Sequence, residues 1–171
     1  MSSFTKSEST SFPDGYQPPE VWAHERDLGG KFGAMNKSTA GARSEAALPV
    51  GDHKLQLYSL GTPNGMKVTI LFEELQDVME SFDYDAWFVD IFKLEQFGSE
   101  FVAANPNSKI PALTDSDHFF SPPLRVFESG NILKHVAEIH GGGRFIPDNR
   151  RERAGMLKWL CWQISLAPYI G

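Results

Sequence analysis

The 171-residue sequence contains a single cysteine, Cys161, and that scarcity removes several chemistries together. An internal disulfide, a Cys-x-x-Cys redox pair and a multi-thiolate zinc site each need two or more sulfurs, so any thiol reaction here borrows a second sulfur from elsewhere. No run approaches 18 uninterrupted apolar residues, and the polar start, Met1 to Asp14, holds no apolar h-region. Neither a membrane span nor a secretory signal is expected, and the sequence reads as a soluble, cytoplasmic protein. An excess of positive charge is missing too: 16 Lys and Arg stand against 22 Asp and Glu, a net of -6. That sign repels polyanions and argues against a nucleic-acid partner.

What is present is a globular composition, 41% hydrophobic and 12% aromatic, at a length that fits one domain with appendages. The charge is uneven. Residues 1–53 carry five basic and seven acidic side chains, 54–143 carry six and thirteen, and 144–171 carry five and two. The chain therefore reads as three segments: an irregular extension (1–52), a folded α/β domain (53–143), and a linker with the start of a helical domain (144–171). The first is rich in Ser, Gly, Pro, Asn and Ala with no period of 2 or 3.6. Its Phe12, Tyr16, Val21, Trp22, Phe32 and Met35 are too apolar for a free tail, so it is expected to lie on a folded surface or a partner subunit.

In the second segment, Lys54 to Leu60 alternates as a strand does, and Gly61-Thr-Pro-Asn-Gly65 reads as a turn. A helix from Gly65 or Met66 follows, with Val68, Ile70, Leu71, Phe72 and Leu75 on its apolar face; Tyr84 to Ile91 then reads as a second strand. Strand, helix and strand make a βαβ unit with parallel strands. Phe97 to Ala104 is a short helix, Ala112 to Thr114 and Leu124 to Phe127 are short strands, and a helix runs from Ser129 to a stop at Gly141. The third segment predicts a helix from Asp148 or Asn149, apolar nearly all round through Leu157, Leu160, Cys161, Ile164, Ala167 and two tryptophans. Such a helix must be buried, so its cover is expected outside this chain, in a missing C-terminal part or another subunit, with Cys161 an inert buried thiol.

The order β-α-β-α-β-β-α, with Pro111 opening the third strand, is the thioredoxin arrangement. Tyr58-Ser-Leu-Gly-Thr-Pro-Asn-Gly-Met-Lys-Val, Asn105-Pro-Asn-Ser-Lys-Ile-Pro-Ala-Leu and Val126-Phe-Glu-Ser-Gly-Asn-Ile-Leu together closely resemble the glutathione transferase N-terminal domain. The resemblance is greatest to the nu-class enzymes and the related prion-forming nitrogen regulators, and it spans about residues 15–171. It implies a thioredoxin-like domain plus the first helix of an all-α C-terminal domain, glutathione as co-substrate, a small electrophile or a disulfide as second substrate, and a homodimer.

The resemblance also implies site residues. Pro111 would be cis, presenting the Ile110 backbone, next to Lys109, to the extended glutathione backbone as an added strand. Glu128 would take the amino group of the γ-glutamyl end, and Ser129 its carboxylate at a helix N-terminus. For Ser129 a plain N-cap is the alternative. Thioredoxins place a cysteine where Thr62-Pro63-Asn64 stands, so here the thiol would arrive on glutathione and be held as thiolate by Thr62 and Asn64. Simple capping of the helix by these two residues is the alternative. Asn36 and Gln96 match further glutathione contacts, and a glutamine of the fourth helix falls at Ile164, with Gln163 one place off.

Other motifs carry less. His140-Gly-Gly-Gly143 reads as a helix stop, since no Gly-x-Ser-x-Gly supplies a nucleophile. His53, His118, His135 and His140 lack mutual helical or hairpin spacing with a carboxylate, so no metal is expected. The leading expectation is a glutathione-dependent transferase or disulfide reductase; the alternative is a non-catalytic interaction module on the same fold.

Overall fold

The computed structural model describes Gly33, Met35 and residues 41–170, with side chains as far as Leu166. The chain divides into two compact units, 1–34 and 35–171, and the fold below is that of the second. Asn36 and the aromatic residues expected to anchor the N-terminal segment lie outside the described residues.

The elements in order are β1 (Leu55–Ser59), α1 (Pro63–Val78), β2 (Asp85–Phe88), a 3-10 turn (Glu95–Phe97), α2 (Ser99–Ala104), β3 (Ala112–Asp115), β4 (Leu124–Phe127), α3 (Ser129–Ile139) and α4 (Arg150–Ile170). Four strands form one mixed sheet in the order β2-β1-β3-β4. β1 and β2 are parallel, as a βαβ unit requires, while β3 runs antiparallel to both β1 and β4. This is the thioredoxin-like α/β arrangement expected from the sequence.

Side chains alternate across a strand, so β1 feeds two cores. Leu55 and Leu57 join Leu113 and Val126 beneath α1 and α3, against Val68, Phe72, Leu75, Ile132 and Val136. Tyr58 and Ala112 turn to the other face, against Phe101 and Ala104 of α2. Gln56 shares that second face and is 2% exposed, yet both ends of its amide are satisfied. Its Oε1 accepts from the Gly51 N–H and Trp87 Nε1, and its Nε2 donates to the His53 carbonyl and Asp85 Oδ2. A fully paired amide can be buried without the penalty of an orphaned polar group.

Three expectations change. The stretch Pro63 to Gly65 is the first turn of α1 rather than a loop: Thr62 caps it and Pro63 occupies N1. Proline suits N1 because its φ is already helical and the N–H it lacks would have no partner there. Ile70 is exposed while Val68, Phe72 and Leu75 are buried, since a step of two residues turns a side chain about 200° around the helix. The third change concerns α4, expected to be buried all round. Leu157, Leu160, Gln163 and Ile164 are half-buried, but Cys161 is exposed, Trp159 is 63% exposed and Trp162 51%. Among the described elements α1 and α3 pack on one side of α4, and the exposed Cys161 lies off that side, so its stripe does not place the thiol in a core.

Residues 41–50 lie along α2. Ser44 bridges Gly98, the Ser99 N–H donates to the Ser44 carbonyl, and the Ala46 N–H donates to Ser99 Oγ. The Tyr58 hydroxyl donates to the Pro49 carbonyl. Irregular backbone is thus held by the start of α2 and by Tyr58 of β1.

Candidate functional site

Strand register brings the motif segments together. Tyr58 pairs with Ala112, and Ala112 pairs with Phe127. The chain leaving β1 at Thr62, the chain reaching β3 through Lys109-Ile110-Pro111, and the chain leaving β4 at Glu128 therefore meet at one end of the sheet. β2 is parallel to β1, with Ser59 opposite Phe88, so the segment holding Gln96 leaves from that same end. Of the predicted residues with described positions, all belong to these four segments. The Ile110-Pro111 peptide is cis, as the resemblance implies.

At the start of α1, Thr62 Oγ1 accepts a hydrogen bond from the Gly65 N–H at 3.3 Å, and the Thr62 carbonyl accepts from the Met66 N–H at 2.8 Å. Proline has no N–H, which leaves the Asn64 N–H as the remaining donor of the first turn. A hydroxyl that accepts one bond keeps its own proton to donate, so capping and donation to an anion are compatible duties for Thr62. Gly65 is required here: a Cβ would stand 2.1 Å from the Leu60 carbonyl oxygen and 2.5 Å from Ser59 Oγ.

α3 begins differently. Glu128 occupies the cap position with φ 68° and ψ 117°, and its side chain makes no capping bond. Ser129 is buried and Glu128 exposed. α1 follows the end of β1 and α3 the end of β4, so both helices start at the same end of the sheet, each offering the positive pole of its dipole. Among the described residues, three of the four with positive φ other than glycine, Leu94, Ser108 and Glu128, lie at this end. Such conformations cost about 1–3 kcal/mol each and persist where the fold over-determines them, commonly at ligand clamps.

Lys67, one turn into α1, is a neighbour of the candidate site that sequence reasoning missed, although it stands inside the first motif. Burial lowers its pKa and nearby Glu128 opposes that shift. Its Nζ donates to Gln163 Oε1 at 2.7 Å, which ties α4 to the site. Gln163 is thus turned to Lys67, while Ile164 packs on α3, where a Cβ at Gly130 would meet its Cδ1 at 1.9 Å. Gln96 is buried; its Nε2 donates to the Met35 and Ile91 carbonyls at 3.4 Å each, and its Oε1 has no partner among the described residues. Ser108 Oγ, in the loop before β3, is likewise buried without a partner among the described residues.

Residues 53–138 match the family described as the glutathione S-transferase N-terminal domain. The chain belongs to the glutathione S-transferase family. It is 49% identical over 157 residues to the disulfide-bond oxidoreductase YghU of Escherichia coli, an alignment covering 91% of this chain and 53% of that protein. YfcG, a second disulfide-bond oxidoreductase of the same organism, is 43% identical over 119 residues, covering 68% of this chain and 52% of its own. The crystal structure of glutathione transferase YghU from Streptococcus pneumoniae, complexed with glutathione, superposes with a TM-score of 0.78 at 49% identity, covering 91% of this chain and 59% of that one. The chain spans about half the length of the curated relatives it matches.

The histidines depart from their expected isolation. His53 contacts Asp83 and Asp85, His118 contacts Asp117, and both His135 and His140 reach Asp115. These carboxylates come from other elements of the chain or from turns, so no helical or hairpin spacing announces them. They lie toward the opposite end of the sheet, where Leu55 pairs with Asp115. Among the described residues, no helix is long and apolar enough to cross a membrane.

Proposed function

We propose that this chain binds glutathione at the end of the sheet bounded by Thr62, Ile110 and Glu128, and uses the glutathione thiolate to reduce disulfides. The observation that carries the reading is the meeting of two helix N-termini with the Lys109-Ile110-Pro111 segment at one sheet end. Thr62 Oγ1 and the Asn64 N–H donate to the sulfur, and the α1 dipole favours its anionic form. The Ile110 backbone, flanked by Lys109 and Pro111, pairs with the tripeptide backbone. Glu128 meets the α-ammonium, Ser129 and the α3 N–H groups take the γ-glutamyl carboxylate, and Gln96 adds a further contact; the resemblance alone suggests one for Asn36.

A free thiol with a pKa of about 8.5 is only a few per cent thiolate at neutral pH, and each unit of depression is worth about 1.4 kcal/mol. Thiolate attack on a disulfide forms the glutathione mixed disulfide and expels the other sulfur as a thiolate. A second glutathione thiolate then attacks the mixed disulfide, forming glutathione disulfide and releasing the substrate thiolate. Attack on an electrophilic carbon is the other use of the same thiolate. Support for disulfide chemistry comes from the relatives named as disulfide-bond oxidoreductases. α4 would open an all-helical second domain, and the working form would be a cytoplasmic homodimer.

Retention on immobilised glutathione, a rise in melting temperature with glutathione or its disulfide, and turnover of a small disulfide in a coupled assay are the expected results. Failure of binding overturns the reading. The exposed Trp159 and Trp162 favour a second reading, a non-catalytic interaction module, which glutathione binding without turnover, together with oligomerisation, would support.

A further inference from the structure

Asp115 ends β3 and is fully buried. Its Oδ1 accepts from the Asp117 N–H at 2.9 Å. Its Oδ2 takes two imidazoles at once, His135 Nε2 at 2.8 Å and His140 Nε2 at 2.6 Å. One ligand atom from each of the three residues lies within 4.8 Å of the others. We propose that Asp115, His135 and His140 form a binding site for a divalent first-row transition cation of the zinc type, a role separate from the glutathione reading and independent of it.

The donor set is the first argument. Two imidazole nitrogens and one carboxylate oxygen suit zinc and its neighbours rather than magnesium or calcium, and the His135-x4-His140 spacing lies within the range of zinc-binding pairs. The second is preorganisation. Oδ1 is fixed by a backbone N–H, which aims Oδ2 at both rings, the outer-shell support that ligating carboxylates commonly have. Loading shifts each Nε2 proton to Nδ1 and frees a lone pair for the cation, so neutral rings need lose no net proton.

The third argument is room to adjust. Metal–ligand bonds of about 2.0–2.1 Å set tetrahedral ligand atoms about 3.3 Å apart, so each nitrogen must withdraw from Oδ2 by about half an ångström while the two rings close on each other. His140 can move, because it is the C-cap of α3 and is followed by Gly141, Gly142 and Gly143, the last two at φ 57° and 81°. The fourth argument is access. His140 lines a cleft of about 450 Å³ together with Asp52, His53, Lys54, Asp83 and Asp117, so an entering cation meets His140 first, at a mouth with three carboxylates, with Asp115 and His135 behind it. Asp115 lies three residues along β3 from Ala112, or about 10 Å at 3.3 Å per residue. The two sites therefore occupy different ends of the sheet.

The test is calorimetric titration of ZnCl2 into the EDTA-stripped, buffer-exchanged full chain without glutathione, itself a zinc ligand, with melting temperature read in parallel. One saturable site per chain and a rise in melting temperature are expected. His140→Gln should keep a donor to Asp115 but weaken Zn2+ binding at least about 10-fold, since even outer-shell changes cost 10–100-fold. Absence of saturable binding, or undiminished binding in His140→Gln, overturns the proposal. Should that variant not fold, Co2+ on the unmutated chain decides. The d–d absorption of a four-coordinate nitrogen and oxygen site supports the assignment; a thiolate-to-cobalt charge-transfer band, pointing to Cys161, or no d–d intensity, overturns it.

Discussion

Replacing Thr62 in parallel by serine, valine and aspartate separates two duties of one hydroxyl. In the structure Oγ1 accepts the Gly65 N–H at 3.3 Å and so caps α1. Valine keeps the shape and loses the acceptor, which costs about 1 kcal/mol, or a fall in melting temperature of about 2–4 °C for a chain of this size. Aspartate restores the acceptor and suits the helix dipole, so its stability should equal or exceed that of the native chain. Function should sort the variants differently. A hydrogen bond to a charged group is worth about 1.5–3 kcal/mol, so losing the donor to sulfur should raise the thiolate pKa by about 1–2 units. In a glutathione-dependent disulfide reductase assay, valine should move the acid limb of the pH–rate profile upward by that amount and serine should leave it in place. Aspartate should be the slowest at neutral pH because it sets a negative charge beside the thiolate. If the valine profile overlays that of serine while its melting temperature still falls, Thr62 is only a cap.

Glu128→Gln removes the proposed partner of the glutathione ammonium, and the KM for glutathione should rise about 10-fold, the equivalent of 1.4 kcal/mol; an unchanged KM would refute that role. Gly65→Ala drives a methyl into the Leu60 carbonyl, which is backbone and cannot step aside, so a loss of more than about 3 kcal/mol in denaturant unfolding is expected, and a loss below 1 kcal/mol would contradict the close approach. The Asp85 carboxyl is held at about 2 by the His53 backbone and ring and by the Gln56 amide, and His53 is raised chiefly by its hydrogen bond to Asp85. The Asp85 contribution to stability is therefore present above the ordinary carboxylate range and lost as pH falls toward 2; that of His53 is present below 6.5 and lost as pH rises through its raised value. Asp85→Asn should return the His53 NMR titration toward the ordinary histidine value, and an unaltered midpoint would show that Asp85 is not the cause.

The parts of the fold legible in the sequence are those that local patterns encode. Alternation in Leu55 to Tyr58 marks a strand, β4 spans Leu124–Phe127 as expected, and the punctuation around Pro111 and Gly141 locates β3 and the end of α3. Thr62-Pro63-Asn64 reads as a turn because proline and asparagine favour turns; the same residues open a helix once Thr62 supplies the cap. Periodicity placed Cys161 on an apolar stripe, but a stripe says nothing of how far neighbours wrap it, and two helices cover only one side of α4. The Asp115 cluster joins residues 20 and 25 positions apart. Only the pairing of β3 with β1 and the return of α3 over the sheet bring Asp115 to the two histidines; the His135-x4-His140 spacing by itself names no carboxylate partner. Lys67 stood inside a recognised motif, and its link to Gln163 is visible only when α4 lies across α1.

The most direct test of the account is the structure of this chain crystallised with glutathione. The cysteinyl sulfur is expected within hydrogen-bond distance of both Thr62 Oγ1 and the Asn64 N–H, with the γ-glutamyl carboxylate at the first turn of α3. A tripeptide bound with its sulfur turned away from α1, or no tripeptide at that end of the sheet at saturating concentration, would contradict the account.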